Sequence, residues 1–209
     1  MENLRPTVLR NRALDRLRGN WNEAAIAGLV LFAVVMIGGG ISQGRGGELS
    51  GLGLAFNLFL GQFILIGGMF IFLDFLRGGP IAFKTFSEAF DGYSRYLGGI
   101  LRVFIYTVLW TLLFVIPGIV KALSYGMTYY IMRENPGLSG EQAIQRSMAM
   151  MYGHKMDLFL LLLSFIGWFI LSMLTAGIGL IWLLPYVYTA VAAFYEEVKK
   201  DYETGNLSV

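Results

Sequence analysis

Few residues in this chain could do chemistry. The one histidine, His154, lies beside Lys155 and three residues before Asp157. Asp74 and Asp157 sit at the ends of apolar runs, and Arg77 follows the first by three residues. A carboxylate pair beside a cation could move a proton, and histidine titrates near neutral pH. At the end of a membrane span, however, such charges are usually solvated or paired, and His154 reads first as a residue capping a helix entry. A zinc site draws on several His, Cys or acidic ligands, and one histidine without cysteine cannot supply the usual set. The chain has no G-x-S-x-G elbow, phosphate-binding loop or H-E-x-x-H pair. The expectation is therefore no catalytic residue, no metal and no cofactor. The polar groups with a candidate functional role are Lys121, Asn57, Gln62, Asp74, His154 and Asp157.

These residues must be positioned by an apolar frame. Of the 209 residues, 56% are hydrophobic and 14% charged, against about 25% charged in soluble domains. Sixteen Phe, eleven Tyr and four Trp suit lipid contact and interfacial anchoring. The fold class is all-α and integral to a membrane, as one helical membrane domain over 1–209. The net charge of +2 gives no reason to expect nucleic acid as a partner. Membrane lipids are the expected partners, together with a second copy of the chain or another membrane protein.

Residues 1–23 form a basic stretch in which Leu9, Ala13, Leu14 and Leu17 share one helical side. Arg5, Arg12, Asp15, Arg16 and Arg18 cover most of the other. That pattern predicts an amphipathic helix on the membrane surface, its arginines toward anionic headgroups. Pro6 suits a first helical position, and Gly19 a position just past the end. A first span is predicted over 24–41, a glycine-rich turn with Arg45 follows, and a second span covers 52–73. Gly53, Asn57, Gly61 and Gly68 fall near one face of that span. Gly53, Gly61 and Gly68 would allow close helix packing, with Asn57 bonding across it. Phe83, Phe86 and Phe90 mark a second surface helix within 74–98.

The run 99–132 has about 34 residues, or roughly 50 Å as one helix, against a hydrocarbon core of about 30 Å. It must reverse, and Pro117-Gly118 is the expected turn. Two short full spans fit, and so does a re-entrant pair. In the first case Lys121 extends its ammonium to the outer surface; in the second it lies deeper and needs a partner. Residues 133–156 predict a third surface helix, with Ser139 and Gln142 as a capping box. The run 157–195 breaks at "TAGIG", 175–179, giving two more spans, and 196–209 is a charged tail.

The result is six spans as three hairpins, with amphipathic surface helices on the cytoplasmic side. Arginines and lysines fall on that side, and only Arg45 and Lys121 lie toward the other, the bias expected of loops that stay inside. Both chain ends are then cytoplasmic.

"IPGIVKALSYGMTYYIMRENPGLSGEQAIQRSMAMMYGHKMDLF" and "LSFIGWFILSMLTAGIGLIWLLPYVYTAVAAFYEE" resemble the bacterial membrane proteins catalogued as domain of unknown function 975. The resemblance implies a bacterial plasma-membrane location and helical spans, and no reaction. The favoured role is a non-enzymatic accessory or scaffold that engages lipid. A small oligomeric transporter or channel is the alternative, and a lipid-modifying enzyme ranks third.

Overall fold

A computed structural model of the chain describes residues 2–42 and 51–205. The predicted glycine-rich turn with Arg45 falls largely outside them. Among the described residues all regular structure is helical, with no strand. It divides into two compact units. One holds the residues up to Arg12, Gly92–Ser164 and those from Ala190 on. The other holds Ala13–Asp91 and Phe165–Thr189.

Helix α1, Pro6–Leu17, starts at the proline, and Gly19 follows its end at φ 83°, as the sequence predicts. Its apolar side is covered by protein, since Leu9, Ala13 and Leu17 are fully buried. Arg16 does not reach toward headgroups. Its Nε and Nη2 donate to the carbonyls of Phe75 and Gly79, and its guanidinium lies 4.7 Å from the Phe75 ring centre. A cation there meets the negative end of a helix dipole, a favourable placement.

Helix α2, Trp21–Ser42, and a broken helix made of α3, Gly51–Phe56, a π turn, Asn57–Gly61, and α4, Gln62–Leu76, form one antiparallel pair. Leu31 packs at Gly68, and Gly38 meets Asn57. Numbers rise along one arm of the pair as they fall along the other. Asn57 Nδ2 donates to the Gly53 carbonyl at 2.9 Å, the acceptor its own backbone amide would use in a regular helix. That competition accounts for the π turn beginning at Asn57. Helix α5, Thr85–Asp91, is a short helix within the predicted stretch 74–98. It packs Phe86 against Gly67 and Phe90 on Phe63, with ring centres 5.3 Å apart.

Helices α6, Tyr93–Leu113, and α7, Val115–Tyr125, form a second antiparallel pair. Thr111 faces Gly118 and Tyr106 faces Tyr125. Helix α8, Thr128–Glu134, extends the pair by placing Met132 at Gly99. The reversal falls at Phe114, the one extended residue between α6 and α7, and not at Pro117-Gly118. Pro117 instead occupies the first turn of α7, where a missing N–H breaks no helical bond. Gly118 is needed because a side chain there would strike Thr111.

Helix α9, Gly140–Met150, starts with both bonds of the predicted capping box between Ser139 and Gln142. Helices α10, Lys155–Leu163, and α11, Ile166–Leu174, follow. After a turn containing Ala176 and Gly177 at positive φ, α12, Leu180–Glu203, runs back. Ser172 packs at Gly179 and Phe165 stacks edge-on to Tyr186, so α11 and α12 are also antiparallel. The expected charged tail from 196 is mostly the last turns of α12, with Val198 fully buried. Four stretches of the described residues are long and apolar enough to cross a membrane: Trp21–Gly40, Phe59–Leu76, Tyr93–Leu113 and Lys155–Leu174.

Candidate functional site

Glycine, serine and aromatic side chains set how closely helices approach, and those contacts decide where charge can sit. In the first unit the charges gather where α8, α9 and α12 end or begin. Glu134 closes α8 and accepts from the Tyr195 hydroxyl at 2.6 Å and from Lys199 Nζ at 2.8 Å. Its side chain is only 16% exposed. The Tyr130 and Tyr195 rings stack beneath it with centres 4.7 Å apart. Between Tyr195 and Lys199 in α12, Glu197 accepts from Arg12 at 2.6 Å and Lys200 at 3.1 Å. Burial pushes the Glu197 carboxyl up, but the bonds and charges of Lys200 and Arg12 outweigh it and hold it below the usual carboxylate range. Asn135 accepts from Arg95 at its carbonyl and from Arg146 at its side-chain oxygen.

Both carboxylates are thus held by cations, which bind the end of α12 to α8 and α1. Such a cluster can clamp helices. It can also present the outer sides of Arg12 and Lys200, 42% and 59% exposed, to an anion.

A second set of contacts lies farther along α6. Arg102 Nε is 3.9 Å from Glu141, at the start of α9, and Tyr106 donates to the same carboxylate at 3.1 Å. Gly140 rests against the Gly99 backbone, which fixes the start of α9 to this level of α6. Sequence reasoning missed Arg102 because it lies inside an apolar run. It missed Glu134, Tyr195 and Glu197 because their spacing matches no catalytic motif.

The residues that the sequence singled out serve mainly their own neighbourhoods. Lys121 Nζ stands 4.9 Å from the Trp110 ring centre, a cation over an aromatic face. Asn57 bonds the Gly53 and Gly38 carbonyls. Gln62 is half-buried at the start of α4. Asp74 is half-buried near the end of α4 in the second unit, whereas Asp157 belongs to the first and lies 3.4 Å from His154 Nδ1. His154 holds the N-cap position of α10, where its side chain makes no cap bond. It is buried, and its Nε2 has no hydrogen-bond partner. Among the described residues no three His, Cys, Asp or Glu gather as metal ligands would.

The packing glycines divide. A Cβ at Gly68 would meet Leu31 at 2.7 Å, but one at Gly61 would meet nothing nearer than 3.5 Å, so Gly61 is not the close contact expected. Gly53 is buried. Gly28, not singled out by the sequence, is tighter than any of these, with the Ile181 carbonyl and Pro185 against it.

No curated protein and no solved structure matches the chain. Residues 93–202 contain every residue of the Glu134, Glu197 and Arg102 contacts except Arg12. They match the model of a family described as a protein of unknown function (DUF975), and since this is more than half of the 209 residues, the chain belongs to that family.

Proposed function

We propose that the protein is a non-enzymatic, multi-pass membrane protein that works as a lipid-engaging scaffold, in a bacterial plasma membrane with both ends cytoplasmic. The observation that carries this reading is the outward apolar surface. Large side chains of α2, α6, α7, α10 and α11 are exposed from Ile26 to Trp168, and Leu112 and Leu174 are each 79% exposed. Only hydrocarbon or another apolar surface can cover so much of the chain favourably. The polar residues support the same reading. Asn57, Ser124, Ser147 and Thr189 bond backbone carbonyls, and Glu134 and Glu197 bond the cations that tie helices together. The three antiparallel pairs fit a path of hairpins: α2 with α3–α4, α6 with α7, and α10–α11 with α12. The chain enters each from the cytoplasmic side, and that path holds whether the middle pair crosses fully or turns back within the bilayer. Arg12, Lys200 and neighbouring cations then face anionic headgroups. A second copy or another membrane protein is the partner that a scaffold would hold.

The test is thermal unfolding of the protein in vesicles of phosphatidylcholine alone and with phosphatidylglycerol added. A higher midpoint with the anionic lipid is expected, reduced in Arg12→Gln and Lys200→Gln. Equal midpoints would remove the headgroup role. Uptake of a small solute by the vesicles above a protein-free control would favour a transporter instead.

A further inference from the structure

We propose that the α6/α7 pair does not cross the membrane but is a half-depth wedge, with its tip among the acyl-chain ends at the bilayer centre. This rests on the reading that the chain is embedded in a bilayer, and it concerns one pair of helices within one unit.

The argument begins with the level at which water must reach α6. Arg102 and Glu141 have side chains 46% and 40% exposed, and their separation of 3.9 Å is a loose ion pair. Two charges left so uncovered by protein cannot lie in hydrocarbon without a large penalty, so this level belongs to headgroups and water. The surroundings agree. Glu141 opens α9 beside the polar cap of Ser139 and Gln142, and Gly140 holds that opening against Gly99. From Arg102 to the reversal at Phe114 is then about 18 Å at 1.5 Å per residue, against a hydrocarbon core of about 30 Å. Thinning of the bilayer costs energy for every ångström and does not close a gap of that size.

The tip itself has the wrong surface for water. Leu112, Leu113, Phe114, Val115 and Ile116 are all large and apolar, and Ile116 is 76% exposed. No side chain caps α7 at Phe114, whereas α9, at the water level, carries a full capping box. Pro117 in the first turn of α7 removes one amide that would lack a partner in lipid. Lys121 is seven residues past the tip on the returning arm, and it lies over Trp110. It is the one charge on that arm between the tip and Arg133, and the ring gives its ammonium a partner at that level. The occupant of the apolar tip is therefore the acyl chains of the cytoplasmic leaflet, which the wedge displaces on one side of the bilayer only.

The wild-type chain has no cysteine, so single cysteines report without background. Phe114→Cys, Ile116→Cys, Gly51→Cys and Pro136→Cys would be placed in phosphatidylethanolamine/phosphatidylglycerol vesicles of known orientation. Each would be treated from each side with a membrane-impermeant methanethiosulfonate. Gly51→Cys is expected to react from one side and Pro136→Cys from the other. Phe114→Cys and Ile116→Cys should react from neither. A nitrobenzoxadiazole label attached at these two sites before reconstitution should be quenched more by lipids carrying a nitroxide near the chain end than by lipids carrying it near the carbonyl. Reaction of Phe114→Cys and Ile116→Cys from the side that reaches Gly51→Cys overturns the wedge in favour of a full crossing. Reaction from the Pro136 side overturns it in favour of a hairpin in water. Protection without deep quenching overturns it in favour of a tip covered by protein. If Gly51→Cys and Pro136→Cys react from the same side, the hairpin path of the proposed function fails, and the Phe114 result still decides the depth of the wedge.

Discussion

The α2/α4 pair and the α6/α7 pair are built alike and filled differently. Both are antiparallel, and both approach closely at a glycine, Gly68 on Leu31 in one and Gly118 on Thr111 in the other. On α2 no charge follows Glu23 through Ser42, a stretch of about 28 Å, enough to cross a hydrocarbon core. On α6 the charge-free stretch from Val103 to Leu113 is about 17 Å. Asn57, a polar side chain well inside the first pair, donates to two backbone carbonyls. The charge inside the second, Lys121, has an aromatic face. A neutral amide can be satisfied wholly by backbone at depth, while an ammonium still needs a route to water. Charge spacing along a helix pair therefore says more about depth than helix length does.

The comparison breaks most readily at Gly28, where a side chain would meet the Ile181 carbonyl and Pro185. Backbone cannot move aside as a methyl group can, so Gly28→Leu should destabilise by about 3 kcal/mol, the upper part of the usual overpacking range. A clear fall in the detergent melting temperature is expected, and an unchanged value would remove α2 from that contact. Gly61→Ala is the matched control and should melt with the wild type, because its Cβ meets nothing closer than 3.5 Å.

In the other unit, Glu134→Ala would leave Lys199 and the Tyr195 hydroxyl without their acceptor. Lys199 is 26% exposed, so water recovers part of the loss, and about 1–3 kcal/mol is expected. Glu134→Gln keeps an acceptor for Tyr195 and should cost less in denaturant unfolding. Equal losses would show that the charge alone matters.

A smaller effect follows pH. The Glu197 carboxyl is held below its ordinary range in the folded chain. Its contribution is therefore complete above the unfolded value and fades as pH falls through the folded one. Because the site is partly open to solvent, the contribution should be below about 1 kcal/mol. Melting curves of Glu197→Gln should be flatter than wild type on the acid side, and parallel curves would show that Arg12 and Lys200 hold nothing there.

Lys121→Met should have the smallest effect, within about 0.5 kcal/mol of wild type in melting and normal in membrane insertion. A substantial loss of stability would mean that the Trp110 contact fastens the two arms together.

Much of this was legible in the sequence. Pro6 and Gly19 bracket α1, Ser139 and Gln142 cap α9, and run lengths require a reversal within 99–132 and another at 175–179, because each rests on local geometry. The exact tip was not legible, because proline fits a first helical turn as well as a bend. Arg16 was misplaced because a helix end is not recognisable as its partner until the fold brings Phe75 and Gly79 near. Arg102 and Glu141 are 39 positions apart, and only the seating of Gly140 on Gly99 makes them neighbours. Gly61 and Gly28 look alike in sequence, and what faces each of them is settled by tertiary packing alone.

Ser147 shows how an interior break in a helix affects motion. Between α7 and α8 the backbone turns at Gly126–Met127, and the buried Ser147 hydroxyl donates to the Ser124 carbonyl at 2.7 Å while accepting from the Met127 amide at 3.3 Å. One hydroxyl thus closes the gap on both sides. The Met127 amide should exchange its hydrogen for deuterium only when α9 lifts away, so its protection reports the breathing of α9 rather than the fraying of α7. In Ser147→Ala that protection would fall without any change in helix content, which makes this amide a local gauge of how tightly α9 is seated.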